Sequence, residues 1–148
     1  MIRPIFASRW VLVLVLLTAS QSLAFSAQGK HEHGKAFAAC AKACAECMNS
    51  CASCYHHCAN LVSEGNKDHT KTMTLCNDCG EICATAAKLT SRHSPFAEAI
   101  CIACAKACDD CGAACAQFPQ DEHMADCAKA CRQCAAACRE MISHTAAG

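Results

Sequence analysis

Eighteen cysteines carry the chemistry of this 148-residue chain, and their spacing limits what that chemistry can be. They stand at Cys40, Cys44, Cys47, Cys51, Cys54 and Cys58; at Cys76, Cys79 and Cys83; at Cys101, Cys104, Cys108, Cys111 and Cys115; and at Cys127, Cys131, Cys134 and Cys138. Within each group every step is three or four residues, and the two alternate. Residues three and four apart share one face of an α-helix, and the alternation is that of the inward seam of a bundled helix. Four such seams direct all the thiols at one interior.

Three uses of such a set compete. A disulfide needs Cβ atoms about 3.8 Å apart, closer than the about 5–6 Å between helical neighbours. Geometry therefore argues against bridges within a helix, and a few between helices stay open; a disulfide-braced structural or interaction protein is the first alternative. Free cysteine also serves as a small hydrophobe. That suits any one of these residues but not a face of six, where Ala, Leu or Val would avoid oxidation. Protonated thiols do let an empty bundle stay folded, unlike a zinc finger without its ion. The third use is metal. With a metal–thiolate bond of about 2.3 Å, a linear S–metal–S unit spans about 4.6 Å, within rotamer reach of Cys40 with Cys44 or Cys101 with Cys104. Zinc prefers a discrete tetrahedron, which a continuous ladder does not single out, so a zinc-binding protein is the weaker alternative. Thiolates select soft copper(I). Bare thiolates in this number could not be buried. If each bridged two coppers and each copper took two thiolates, the chain would hold ~18 copper(I) ions at a net charge near zero.

Other cysteine chemistry fits less well. No Cys-x-x-Cys is followed by His, as c-type haem attachment requires. Iron–sulfur motifs use fewer cysteines, and thioredoxin-like sites need a βαβ context. No acid–base pair or activated nucleophile stands out, so no enzyme is expected.

The seams need helices to carry them, and turn signals set those helices apart. Gly65 suits a helix end and Asp68 an N-cap. Ser94 suits an N-cap with Pro95 at the first helical position. Pro119 breaks the third boundary, and Asp121 can cap the fourth helix. Ala, Lys, Glu and Gln between these points favour helix. Helices are expected over about 35–64, 68–91, 95–117 and 121–144. Their seams continue into Phe37, Leu61, His69, Ala86, Phe118, Met124 and Met141. Phe37, Tyr55, Phe96 and Phe118 are the aromatic core candidates. Short connections favour antiparallel neighbours. The expected fold is an all-α, antiparallel up-down four-helix bundle with a cysteine-lined core, over residues 35–148.

Residues 1–24 read as a cleavable signal peptide, with basic Arg3 and Arg9, an apolar run over Trp10–Leu17, and Ser22-Leu23-Ala24 as cleavage site. The apolar run is well short of the ~20 residues of a spanning helix, and no twin arginine is present. Export by a Sec-type route, to the periplasm, is expected. Residues 25–34 read as a flexible tail containing His31 and His33. Loss of Arg3 and Arg9 takes two of thirteen basic side chains and none of thirteen acids, leaving a charge of −2. That argues against nucleic acid or an anionic membrane as partner.

In an up-down bundle, one end gathers the end of the first helix, the start of the second, the end of the third and the start of the fourth. His57, His69, Met73, His123 and Met124 fall there. Thioether and imidazole hold copper(I) less tightly than thiolate and suit a port of passage. His57 and Met73 join the cysteines as site candidates. His69, His123 and Met124 read more readily as helix-end polarity and gap filling. Met48 lies beside its seam and fits either role. Met141 is expected to plug the opposite end with Phe37 and Phe96. His31 and His33 read as a solvated tail ahead of a copper-capturing one.

The stretch from about Lys35 to His144 resembles the bacterial copper storage proteins. The resemblance rests on His57-Cys58, on Thr72-Met73-Thr74-Leu75-Cys76, on Cys101-Ile102-Ala103-Cys104 with Phe118-Pro119, and on Asp126-Cys127-Ala128-Lys129-Ala130-Cys131-Arg132-Gln133-Cys134-Ala135-Ala136-Ala137-Cys138. It implies a homotetramer of bundles storing many copper(I) ions on in-helix cysteine pairs, with copper donor or acceptor proteins as partners. The cysteine count is like that of cytosolic members, whereas the leader and His31-Glu32-His33 are like those of exported ones.

Overall fold

The computed structural model describes the backbone of residues 8–145 and the side chains of Glu32 and of residues 34–145. Among these residues are α1 (Ser8–Ser63), a 3₁₀ turn (Lys67–His69), α2 (Thr70–Ser91), α3 (Ala97–Cys115) and α4 (Glu122–Thr145), and no strand. The chain divides into two units, Met1–Gly34 and Lys35–Gly148. In the first, the backbone from Ser8 is helical, including residues 25–34. No proline stands between Pro4 and Gly34, so no residue of that stretch lacks the backbone N–H a helix interior uses. The side chains of the expected leader, and those of His31 and His33, lie outside the described residues. Among the described residues no helix is long and apolar enough to cross a membrane.

Sulfur contacts reveal the topology of the second unit. Cys40–Cys101, Cys47–Cys108 and Cys54–Cys115 each join residues 61 apart, so α1 and α3 run parallel. Cys76–Cys127 and Cys83–Cys134 are each 51 apart, so α2 and α4 are also parallel. The other pairings match rising numbers with falling ones. Cys40, Cys47 and Cys54 of α1 meet Cys138, Cys131 and Met124 of α4. Cys76, Cys79 and Cys83 of α2 meet Cys111, Cys108 and Cys104 of α3. This is an up-down-up-down bundle with its parallel helices on the diagonals, as the seams predict.

All the cysteine side chains are buried, with Ala, Phe37, Met124 and Met141 completing the core. Small side chains let the helices approach closely. At Gly112 the approach is close enough to matter: a Cβ there would lie 3.1 Å from Cys131 Cβ, so the glycine seats α4 against α3. Tyr55 and Phe96 are exposed and are not core residues. Tyr55 sits one step off its seam, and Phe96 falls in the turn before α3.

The helix ends explain the boundaries. Gly65, at φ 100°, ends α1 in a Schellman motif: Asn66 N–H donates to Leu61 O at 2.9 Å and Gly65 N–H to Val62 O at 3.1 Å. His93, at φ 51°, ends α2 the same way, with Ser94 N–H donating to Leu89 O and His93 N–H to Thr90 O, both at 3.0 Å. Asp121 caps α4, its Oδ1 accepting from Met124 N–H at 3.2 Å. Two expected starts move. Asp68 does not cap α2; the chain enters through the 3₁₀ turn, which carries His69 into the core. Ser94 Oγ does accept from Phe96 N–H at 3.3 Å, but as a lead-in turn, and α3 proper starts at Ala97.

Candidate metal centre

The thiols form a net rather than a set of separate sites. Within helices, Cys40–Cys44, Cys47–Cys51 and Cys79–Cys83 have sulfurs 3.9 Å apart. Between helices the contacts run from 3.6 Å, for Cys40–Cys101, Cys76–Cys111 and Cys83–Cys104, to 4.0 Å, for Cys44–Cys104 and Cys76–Cys127. A disulfide bond is about 2.05 Å long, and all the cysteines are free. Groups of four have sulfurs within 4.8 Å of one another: Cys44, Cys104, Cys134 and Cys138; Cys47, Cys83, Cys108 and Cys134; Cys47, Cys51, Cys79 and Cys131; Cys51, Cys111, Cys127 and Cys131; Cys54, Cys76, Cys115 and Cys127.

Successive groups share members. Cys134 joins the first to the second, Cys47 the second to the third, Cys51 and Cys131 the third to the fourth, and Cys127 the fourth to the fifth. Discrete tetrahedral zinc would need disjoint sets. A shared, chained set suits a soft monovalent ion that accepts few ligands and tolerates bridging thiolates. The 3.9 Å in-helix spacing lies about 0.7 Å short of the about 4.6 Å linear span, a gap that small χ1 changes can close.

Thiol pKa values in this net shift in both directions. Burial pushes the Cys58 thiol above its ordinary 9.0. At Cys101, a hydrogen bond with Cys138 lowers the pKa, but contact with Cys40 and burial outweigh it and push it up to about 12. Where S–H donors converge, the direction reverses. Cys115 is brought down to about 5, chiefly by its hydrogen bond with Cys111, with Cys54 and Cys76 adding to it. Metal binding must expel the remaining protons.

The two ends differ. At one, Met124 is fully buried, its Sδ 3.5 Å from Cys54 Sγ and 3.9 Å from Cys58 Sγ. His57 Nε2 lies 2.7 Å from Asp121 Oδ2, and its ring stacks on His123 at 4.4 Å. Burial works against the Asp121 carboxylate, but His57 and the Met124 N–H hold its pKa below the ordinary value. His69 is buried and stacks on Phe118 at 4.2 Å. Met73 packs half-buried against the core, and Met48 does the same farther along. The α3–α4 connection, Phe118 to Asp121, thus holds both His69 and His57. Sequence reasoning finds Asp121 only as a cap; the His57 pairing has no local signal, because it joins residues 64 apart.

At the other end Phe37 and Met141 are buried. The expected third member of that plug, Phe96, is 69% exposed. His93 stacks on Phe37 instead, at 4.6 Å and 14° between planes, because the left-handed turn at α2's end directs the chain back across it.

Comparison with known proteins agrees with this geometry. Residues 33–143 match the family model described as copper storage protein. A cytosolic copper storage protein from Streptomyces lividans, in a structure with five coppers, is 31% identical at a TM-score of 0.70, covering 76% of this chain and 97% of that one. Apo copper storage protein 3 from Bacillus subtilis is 36% identical at a TM-score of 0.62, covering 70% and 96%. The uncharacterized cysteine-rich protein YhjQ of Bacillus subtilis is 39% identical over 51 residues, 34% of this chain and 47% of that protein's length. The expected export to the periplasm does not stand: the Streptomyces match is a cytosolic protein, and the thiol-lined bundle is no mark of an exported one. The chain belongs to the copper storage protein family, and its chained thiol core is a store for copper(I).

Proposed function

We propose that all eighteen cysteines act as copper(I) ligands, that copper passes through the His57 and Met73 end, and that the protein stores copper without catalysing a reaction. The observation that carries this is the sharing of cysteines between successive four-thiol groups along the bundle. An ion entering one group can move to the next by exchanging one thiolate at a time. His57, one quarter exposed and beside Cys58, stands where solvent meets the last rung. Assembly as a homotetramer, and exchange with copper donor or acceptor proteins, are drawn from the family likeness.

Thiol counting tests the ligand assignment. Anaerobic alkylation of copper-loaded protein, read by mass spectrometry, is expected to leave every cysteine unmodified. The same alkylation after a strong copper(I) chelator and denaturant should modify all eighteen. Cysteines that alkylate in the loaded protein are not ligands. Cysteines that stay unreactive until a disulfide reductant is added would support the braced-scaffold alternative.

A further inference from the structure

His69 differs from the other side chains at its end of the bundle. It is 6% exposed, and its Nδ1 has no hydrogen-bond partner, the one buried side-chain nitrogen or oxygen among the described residues in that state. A buried polar atom left unpaired is destabilising, and native structures keep few of them. His57, by contrast, is bonded to Asp121, and His123 is exposed and stacked on His57.

The register of His69 is that of the thiols. Positions 69, 72, 76, 79 and 83 carry the alternation of three and four from the end of the 3₁₀ turn into α2, and His69, Thr72, Cys76, Cys79 and Cys83 are all buried. His69 therefore holds the place of a rung, two steps beyond Cys76. Phe118 extends the α3 seam from Cys115 in the same way, and its ring fixes the imidazole by stacking. An open cleft of about 460 Å³ is lined by His69, Phe118, Pro119, Gln120 and Asp121 among others. No lysine or arginine lines it to repel a cation.

We infer that His69 Nδ1 is a copper(I) ligand, a nitrogen rung that ends the α2 ladder and passes ions between the cleft and the thiols beyond it. The inference rests on the storage reading. The chemistry suits a transfer point. Neutral imidazole binds copper, and with its proton on Nε2 the ring offers the Nδ1 lone pair without releasing a proton, whereas a thiol must lose one. Copper can thus bind here first and exchange onto thiolate as a proton leaves.

The test uses the full chain labelled with ¹⁵N-histidine. Copper(I) is added anaerobically while imidazole ¹⁵N resonances and copper–thiolate absorption are followed together. His69→Gln assigns the resonance. His69→Phe keeps the ring stack on Phe118 and serves as the kinetic comparison. Expected are a shift of His69 Nδ1 on copper addition, with Nε2 keeping its proton, and slower copper uptake in His69→Phe at unchanged final absorption. Growth of copper–thiolate absorption to saturation with His69 Nδ1 unmoved would overturn the inference and leave storage standing, the nitrogen then being satisfied by water. Absence of copper–thiolate absorption would instead remove the storage reading. The wild-type spectra decide between these even if His69→Phe does not fold.

Discussion

The two ends of the bundle close in opposite ways. Beyond Cys40, Cys101 and Cys138 come Phe37 and Met141, both buried, with the His93 ring laid on Phe37. Beyond Cys58 come Met124, Met73, His57 and His69, which bring sulfur and nitrogen lone pairs. The core between them is one continuous material, so the ends decide how it fills. An ion that sheds water needs replacement ligands at each step. One end supplies them and the other offers a buried plug, and this contrast is the ground for the single mouth we propose.

The largest effect expected is that of pH. Thiols such as Cys58 and Cys101 are held above their ordinary 9.0, so copper must displace their protons. Acidification favours the protonated form, and affinity should fall about tenfold per pH unit for each proton displaced. The same shifts affect the empty bundle in the reverse sense. A thiol with a raised pKa stabilises the apo fold fully below about 9 and loses that contribution as pH rises through its folded value. Helical circular dichroism under denaturant should therefore show the apo protein weakening in alkali, while the loaded protein does not. Equal alkaline sensitivity of the two would contradict raised thiol pKa values at Cys58 and Cys101.

The next effect breaks the comparison of ends. Replacing His57 and Met73 by Ala should slow copper uptake and release, on the order of tenfold, with capacity nearly unchanged. Replacing Phe37 and Met141 by Leu should leave the rates alone. Stopped-flow transfer to a chromophoric chelator measures both. Equal slowing by the two pairs, or a matching loss of capacity, would remove the single mouth.

A smaller change is expected at Asp121, which caps α4 and holds His57. Asp121→Ala should cost about 1 kcal/mol of stability through the lost cap, visible in a denaturant midpoint, and should also speed alkylation of Cys58 in the apo protein. An unchanged midpoint would show that His57 and water suffice at that end. The smallest effect belongs to the interior. Cys108→Ser, within the group of Cys47, Cys83 and Cys134, should lower capacity by about one ion without unfolding the bundle. A loss of several ions would mean that the net fills as a cooperative cluster.

The range of the forces involved separates the features legible in the sequence from those that are not. The seams of Cys40–Cys58 and Cys101–Cys115 are periodic, and periodicity is local, so the four helices and their inward faces can be read directly. Gly65 and Asp121 act within a single turn and are equally plain. The cross-helix groups, the His57–Asp121 pair and the stacking of His93 on Phe37 depend on how helices lie against one another. Such contacts join residues with no sequence relation, and nothing near Phe96 signals that His93 takes its place. His69 lies between the two cases: its register is visible, but only its burial without a partner at Nδ1 separates it from an ordinary helix-end histidine.

The central claim is that the chained thiols form one store. Its most direct test is an anaerobic titration of fully reduced protein with copper(I) against a competing chelator, carried to saturation. A saturation point well above about ten ions per chain, approaching the ~18 that bridging thiolates allow, is the predicted result. Saturation at a few ions, or none, would contradict it.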